Sequence, residues 1–156
     1  GAAPAGGAPA KAPVGGAAPV APSSSPSPTE ILGRGTVTLH DLATGYCLDS
    51  NANGNAYTMG CNGGLYQNWG VTELGGNTVV LHDVETGYCI DSNENGNAYT
   101  LTCNGGKYQS WIVRSSAYGT VTLMDVETGR CLDSNANGAL YTLPCNGGSY
   151  QRWSKE

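Results

Sequence analysis

Cys47, Cys89 and Cys131 stand 42 residues apart, and so do Gln67, Gln109 and Gln151, and Trp69, Trp111 and Trp153. Of the 34 positions from Thr36 to Trp69, 21 recur unchanged in the copies that begin at Thr78 and Thr120, with no insertion or deletion. Such a period fixes an architecture before any single residue does. A unit of about 40 residues cannot bury a core alone. Three can share one, and three equal copies without a capping variant favour a closed ring over an open solenoid.

Within the first unit "TVTLHD" alternates as a strand, with Val37 and Leu39 on one face. "LATGY" reads as a tight turn in which Asp41 and Thr44 bond local backbone and Gly45 takes the left-handed position. "YCLD" and "AYTMGC" are two further strands joined by an Asn-Gly-rich hairpin connection, and "CNGGLYQNW" is a loop running into a last strand. No segment keeps a helical period for more than a turn. The expected fold is all-β: a β-trefoil, a six-stranded barrel closed by three hairpins. Its repeats would span 35–76, 77–118 and 119–156 of a domain covering 35–156. Residues 1–34 are almost entirely Ala, Gly, Pro and Ser at first, which leaves too little apolar surface to offset ordering, so a disordered linker is expected there.

The net charge of −5 comes with only seven basic residues, scattered along the chain, so neither nucleic acid nor an anionic membrane is an expected partner. No apolar run is long enough to span a bilayer, and membrane insertion is not expected. The chain begins with Gly rather than Met and is expected to be a processed or excised form of a secreted, extracellular protein. Six cysteines in so small a domain suit an oxidising compartment. Close ligand pairs for zinc are missing. The economical pairing is one bridge per repeat: Cys47–Cys61, Cys89–Cys103 and Cys131–Cys145, each closing a loop of about 15 residues worth roughly 3 kcal/mol.

"DSNANG" from Asp49, repeated from Asp91 and Asp133, has the acid-amide alternation of a calcium loop. An EF-hand needs a bidentate Glu at its twelfth place, however, and Gly60, Thr102 and Pro144 stand there. No metal or cofactor is expected. If each bridge joins directly opposed positions of an antiparallel pair, Asp49 faces Met59 and Asn51 faces Tyr57. Cys47, Asp49, Tyr57, Met59 and Cys61 then share one face, while Leu48 and Thr58 take the other. A carboxylate accepts hydroxyl bonds, an amide donates and accepts, and aromatic surface covers a sugar's C–H face. The plainer alternative is that Asp49 caps the Asn-Gly turn and the tyrosines pack. Gln67, Gln109 and Gln151 are expected to satisfy loop backbone, and Trp69, Trp111 and Trp153 to fill a shared core.

The triplets "QNW", "QSW" and "QRW", closing three repeats in register, resemble those of the ricin-B-type lectin trefoils, also grouped as carbohydrate-binding module family thirteen. "LDSNANGALYTLPCNGGSYQRW" is similar to the repeats of the actinohivin-type lectins for high-mannose glycans. That resemblance implies a glycan pocket at Asp49, Tyr57, Met59, Asn62 and Tyr66. Its counterparts are Asp91, Tyr99, Leu101, Asn104 and Tyr108 in the second repeat, and Asp133, Tyr141, Leu143, Asn146 and Tyr150 in the third. Where that pattern has a tyrosine two places after Asp-Ser, this chain has Ala52, Glu94 and Ala136, and Glu94 adds a charge beside the second pocket. Galactose-binding members typically carry an aromatic two residues before the second cysteine and Asn before the Gln. Neither holds here, which favours mannose.

His40 and His82 recur but Met124 replaces them in the third copy, with no nucleophile or carboxylate pair alongside, so no catalytic role is expected. The expectation is a non-enzymatic lectin binding mannose-rich glycans at up to three sites. The alternative is a carbohydrate-binding module that directs a glycoside hydrolase or toxin, with a catalytic domain upstream. A trefoil protease inhibitor, acting through one loop, fits threefold repetition poorly.

Overall fold

A computed structural model describes residues 27–156. The expected linker over residues 1–26 lies outside the described residues.

Among the described residues, thirteen strands follow a single short α-helix. They are β1 (Gly35–Val37), β2 (Leu39–Asp41), β3 (Cys47–Ser50), β4 (Ala56–Met59), β5 (Trp69–Gly75), β6 (Thr78–Asp83), β7 (Cys89–Ser92), β8 (Ala98–Leu101), β9 (Trp111–Ser115), β10 (Val121–Asp125), β11 (Arg130–Ser134), β12 (Leu140–Pro144) and β13 (Trp153–Lys155). The "TVTLHD" strand is unbroken in β6 but interrupted at Thr38 in the first repeat, giving β1 and β2. β1 pairs with β5 and β2 with β13, so the antiparallel sequence β5-β6-β9-β10-β13 closes on itself as a six-stranded barrel. Hairpins β3–β4, β7–β8 and β11–β12 branch from β2, β6 and β10.

The three hairpins also hold one another. Thr58 N–H donates to Gly138 O, Thr100 N–H to Gly54 O and Thr142 N–H to Gly96 O, at 2.8–2.9 Å. Gly54, Gly96 and Gly138 are left-handed, and an added Cβ would meet those threonine carbonyls at 2.9 Å or less. Glycine is required there on both counts. Ser50 Oγ donates to Asp83, Ser92 Oγ to Asp125 and Ser134 Oγ to Asp41 at 2.6–2.7 Å, joining each repeat to the next and the third to the first.

Alternation points Leu39, Leu81, Leu123, Val79 and Val121 inward, and Trp69, Trp111 and Trp153 meet them with no exposed surface. Each indole N–H donates to the carbonyl of Leu48, Ile90 or Leu132 on the neighbouring hairpin, at 2.9, 3.1 and 3.2 Å. Barrel and hairpin cap are thereby one core.

The end of the expected linker is ordered. Pro28–Leu32 forms helix α1, capped by Ser27, whose Oγ accepts from Glu30 N–H while Glu30 Oε1 accepts from Ser27 N–H. This box satisfies two otherwise unpaired donors. Leu32 is fully buried, with α1 lying against β9 and β10. One leucine and a capping box fold a segment that composition alone left unstructured.

Candidate functional site

Pairing of β3 with β4 sets Asp49 directly against Tyr57 and Cys47 against Met59. The expected register, with Asp49 against Met59 and Asn51 against Tyr57, is corrected by two residues. The Cys47–Cys61 bridge is diagonal, reaching just beyond β4 with Cα atoms 5.1 Å apart, a separation that suits a bridge as well as direct opposition does. A shift of two preserves side-chain parity, so Cys47, Asp49, Tyr57 and Met59 keep one face. Asp91 meets Tyr99 and Cys89 meets Leu101 in the second repeat, and Asp133 meets Tyr141 and Cys131 meets Leu143 in the third. Cys89–Cys103 and Cys131–Cys145 are also formed.

Asp49 is buried, and its Oδ2 accepts from Gln67 Nε2 at 2.8 Å. The same amide donates to Gly60 O at 3.0 Å and accepts from Asn62 N–H at 2.8 Å. Gln109 makes these bonds to Asp91, Thr102 and Asn104, and Gln151 makes them to Asp133, Pro144 and Asn146. One fully buried side chain thus fixes the carboxylate on the hairpin and the start of the loop carrying Asn62 and Tyr66. Among the described residues, nothing donates a hydrogen bond to Oδ1 of Asp49 or Asp91. A carboxylate oxygen left without a donor from the protein is poised to accept one from a ligand.

The alternative in which Asp49 caps the turn does not hold. Asn51 Oδ1 accepts from Asn53 N–H and Asn55 N–H at 3.0 and 3.1 Å, and Gly54 adopts φ +88°. Ser50 turns away to Asp83. The oxygens of "DSNANG" therefore diverge to three different partners rather than converging on one centre.

Tyr57 is half-buried, and its hydroxyl donates to Ser50 O at 3.1 Å. Burial first, then the neighbouring Asp49 carboxylate, holds this phenol above its ordinary pKa, so it stays protonated. Tyr99 and Tyr141 make the matching bonds at 3.2 and 2.9 Å and are raised for the same leading reasons. Asn62 Oδ1 accepts from Gly64 N–H at 2.8 Å, which shapes the loop and leaves the Asn62 amide N–H groups at the exposed rim; Asn104 and Asn146 are held alike. Met59, Leu101 and Leu143 are 45%, 50% and 40% exposed, and Tyr66 and Tyr150 are 39% and 43% exposed. Each repeat thus gathers an acceptor below and an amide, two phenols and apolar surface above. Tyr108 differs: its hydroxyl donates to Glu94 Oε2 at 3.1 Å, and burial, then that bond, raises its pKa.

Two features escape the sequence. The Gln amide reaches an Asp 18 residues away, which no local motif signals. Behind each hairpin, fully buried Asp41, Asp83 and Asp125 sit near the site carboxylates Asp133, Asp49 and Asp91, whose charges add to their raised pKa. Their recurrence marked them only as turn residues.

Residues 35–153 match the family model described as the ricin-type beta-trefoil lectin domain. Among solved structures, the chain is similar to the designed threefold-symmetric protein ThreeFoil, with a TM-score of 0.72 and 26% identity over 77% of this chain and 96% of that one. It is also similar to an exo-beta-1,3-galactanase from Clostridium thermocellum, with a TM-score of 0.71 and 20% identity over 78% of this chain and 30% of the other. A mosquitocidal holotoxin gives a TM-score of 0.73 and 16% identity over 79% of this chain and 17% of that protein. This chain corresponds to a minor part of the galactanase and the toxin, and those two likenesses concern the fold alone.

Proposed function

The chain belongs to the ricin-type β-trefoil lectin family, a carbohydrate-binding family, and from that premise we propose a secreted, non-enzymatic lectin with up to three glycan sites that prefers mannose-rich chains. One observation carries the assignment of the sites. In each repeat a buried aspartate is clamped through one oxygen by glutamine, beneath half-buried or exposed tyrosines and an exposed apolar side chain. Sugar hydroxyls would donate to the carboxylate oxygen that glutamine does not engage, and the ring's C–H face would lie on Tyr66 and Met59 or their counterparts. A shallow solvated site binds weakly, but three on a rigid frame gain avidity because later contacts become effectively intramolecular.

Asp49→Asn, Asp91→Asn and Asp133→Asn test this without unmaking the clamp, since the amide oxygen still accepts from glutamine while an N–H₂ replaces the free acceptor. Titration with oligomannose is expected to lose one site per substitution, with the triple variant folded and inert. Retained binding by a folded triple variant would refute the assignment.

The galactanase and toxin matches favour a second reading, because in both a fold like this one occupies part of a longer chain. On that reading the domain directs an attached catalytic or toxic domain to a glycan surface. Sequencing the encoded region upstream of Gly1 distinguishes the two.

A further inference from the structure

Threefold symmetry fails beside the third site. There a cavity of about 200 Å³ is lined by Arg114, Thr122, Met124, the Cys131–Cys145 bridge and Gln151, the residue that clamps Asp133. In the other repeats a histidine stands where Met124 does. His40 lies against its bridge, with Nδ1 3.4 Å from Cys61 Sγ and Nε2 3.4 Å from Glu156 Oε1. The His82 ring lies directly over Gly70, leaving no room for even a Cβ.

The charge differs as well. The positions matching Arg114 hold Thr72 and Glu156, so only the third site has a cation beside it, supplied by β9 of the second repeat. Arg114 is exposed and has no carboxylate within ion-pair distance among the described residues. A second arginine is peculiar to the third repeat. Thr38 Oγ1 donates to Asn68 at 3.3 Å, and the matching pair in the third repeat is Thr122 and Arg152, whose Nε is buried without an acceptor. On a chain of net charge −5, such a local cation can hold an anion only through short-range contacts.

We propose that this cavity is an accessory subsite, peculiar to the third repeat, for the carboxylate or sulfate of an acidic sugar adjoining the glycan held at Asp133. Opposed residues share a sheet face, so pairing runs that face from Asp133 and Tyr141 through Cys131 and Met124 to Thr122 and Arg114. Gln151 lines the cavity and donates to Asp133 Oδ2 at 2.8 Å, so cavity and site adjoin and one oligosaccharide can bridge them. Guanidinium would meet the anion, and Met124 with the disulfide would receive the ring's apolar face. The proposal rests on the glycan reading of the Asp133 site.

Titrations of the full chain with a glucuronic-acid-terminated disaccharide, its sulfated analogue and the neutral glucose counterpart test it, followed through the Met124 methyl and Arg114 Nε–H resonances. The acidic ligands are expected to move both signals and bind about fivefold tighter than the neutral one, roughly 1 kcal/mol. The stronger of the two acidic arms identifies the group. Met124→His and Arg114→Thr, each installing a residue found at a matching position, should abolish that preference. Oligomannose binding at Asp49 and Asp91 should remain. Equal affinity for acidic and neutral ligands, or a preference that survives Met124→His, would overturn the subsite. Failure of the unaltered chain to bind oligomannose at Asp133 would instead overturn the glycan reading itself.

Discussion

Thr58, Thr100 and Thr142 occupy one position in three copies, yet their hydroxyls fare differently. Thr142 Oγ1 accepts from Arg130 Nε at 3.2 Å, and Arg130 also donates to Thr142 O at 2.9 Å. Tyr46 and Tyr88 stand where Arg130 does, and Thr58 Oγ1 and Thr100 Oγ1 are buried without partners. A buried unpaired hydroxyl is costly, whereas a satisfied one contributes about 1 kcal/mol. Thr58→Val and Thr100→Val are therefore expected to raise stability by about 1 kcal/mol, and Thr142→Val to lower it by a similar amount, as read from urea unfolding. Identical chemistry at identical positions is the reason a sequence cannot tell these three apart. The same limit applies within the site: alternation legibly placed Asp49, Tyr57 and Met59 together, but the Gln67 clamp on Asp49 depends on a loop path that no spacing rule supplies.

The elements were legible where strands alternate and turns carry Asn and Gly. Asp41 Oδ1 accepts from Ala43 N–H, Thr44 Oγ1 accepts from Tyr46 N–H, and Gly45 adopts φ +75°, as the "LATGY" turn requires. Register was less so, because a diagonal bridge and an opposed one leave the same alternation in the sequence. Helix α1 was missed although "SPTE" spells a capping box, since the surrounding composition outweighed four residues of local chemistry. Its single anchor gives it a measurable role. Leu32→Ala is expected to cost about 2–5 kcal/mol, the range for a buried leucine, lowering the urea midpoint of the whole domain. No change would show that α1 merely rests on the barrel.

Over the whole molecule, three hydrogen-bonded carboxylates lie within the joints between repeats. Burial pushes Asp41 up to about 6, opposed by the Ser134 and Ala43 bonds and assisted by the nearby Asp133 charge. Asp83 and Asp125 are raised chiefly by burial as well. A carboxyl with a raised folded-state pKa stabilises the fold fully below its unfolded value of about 4, and that contribution is lost as pH rises through the folded value. The Tm is accordingly expected to rise as pH falls from 7 toward 4.5, and Asp41→Asn should make the slope shallower. Asparagine can still accept from Ala43 N–H and donate to Ser134 Oγ. An unchanged slope in that variant would mean that Asp41 is not the titrating group. One of these joints spans 93 residues, from Ser134 back to Asp41, and β13 lies beside β2. The covalent order of the copies is thus incidental to what holds them. A molecule opened in the turn at Gly76 and spliced between its present ends, reading second, third, first, would keep every joint described here.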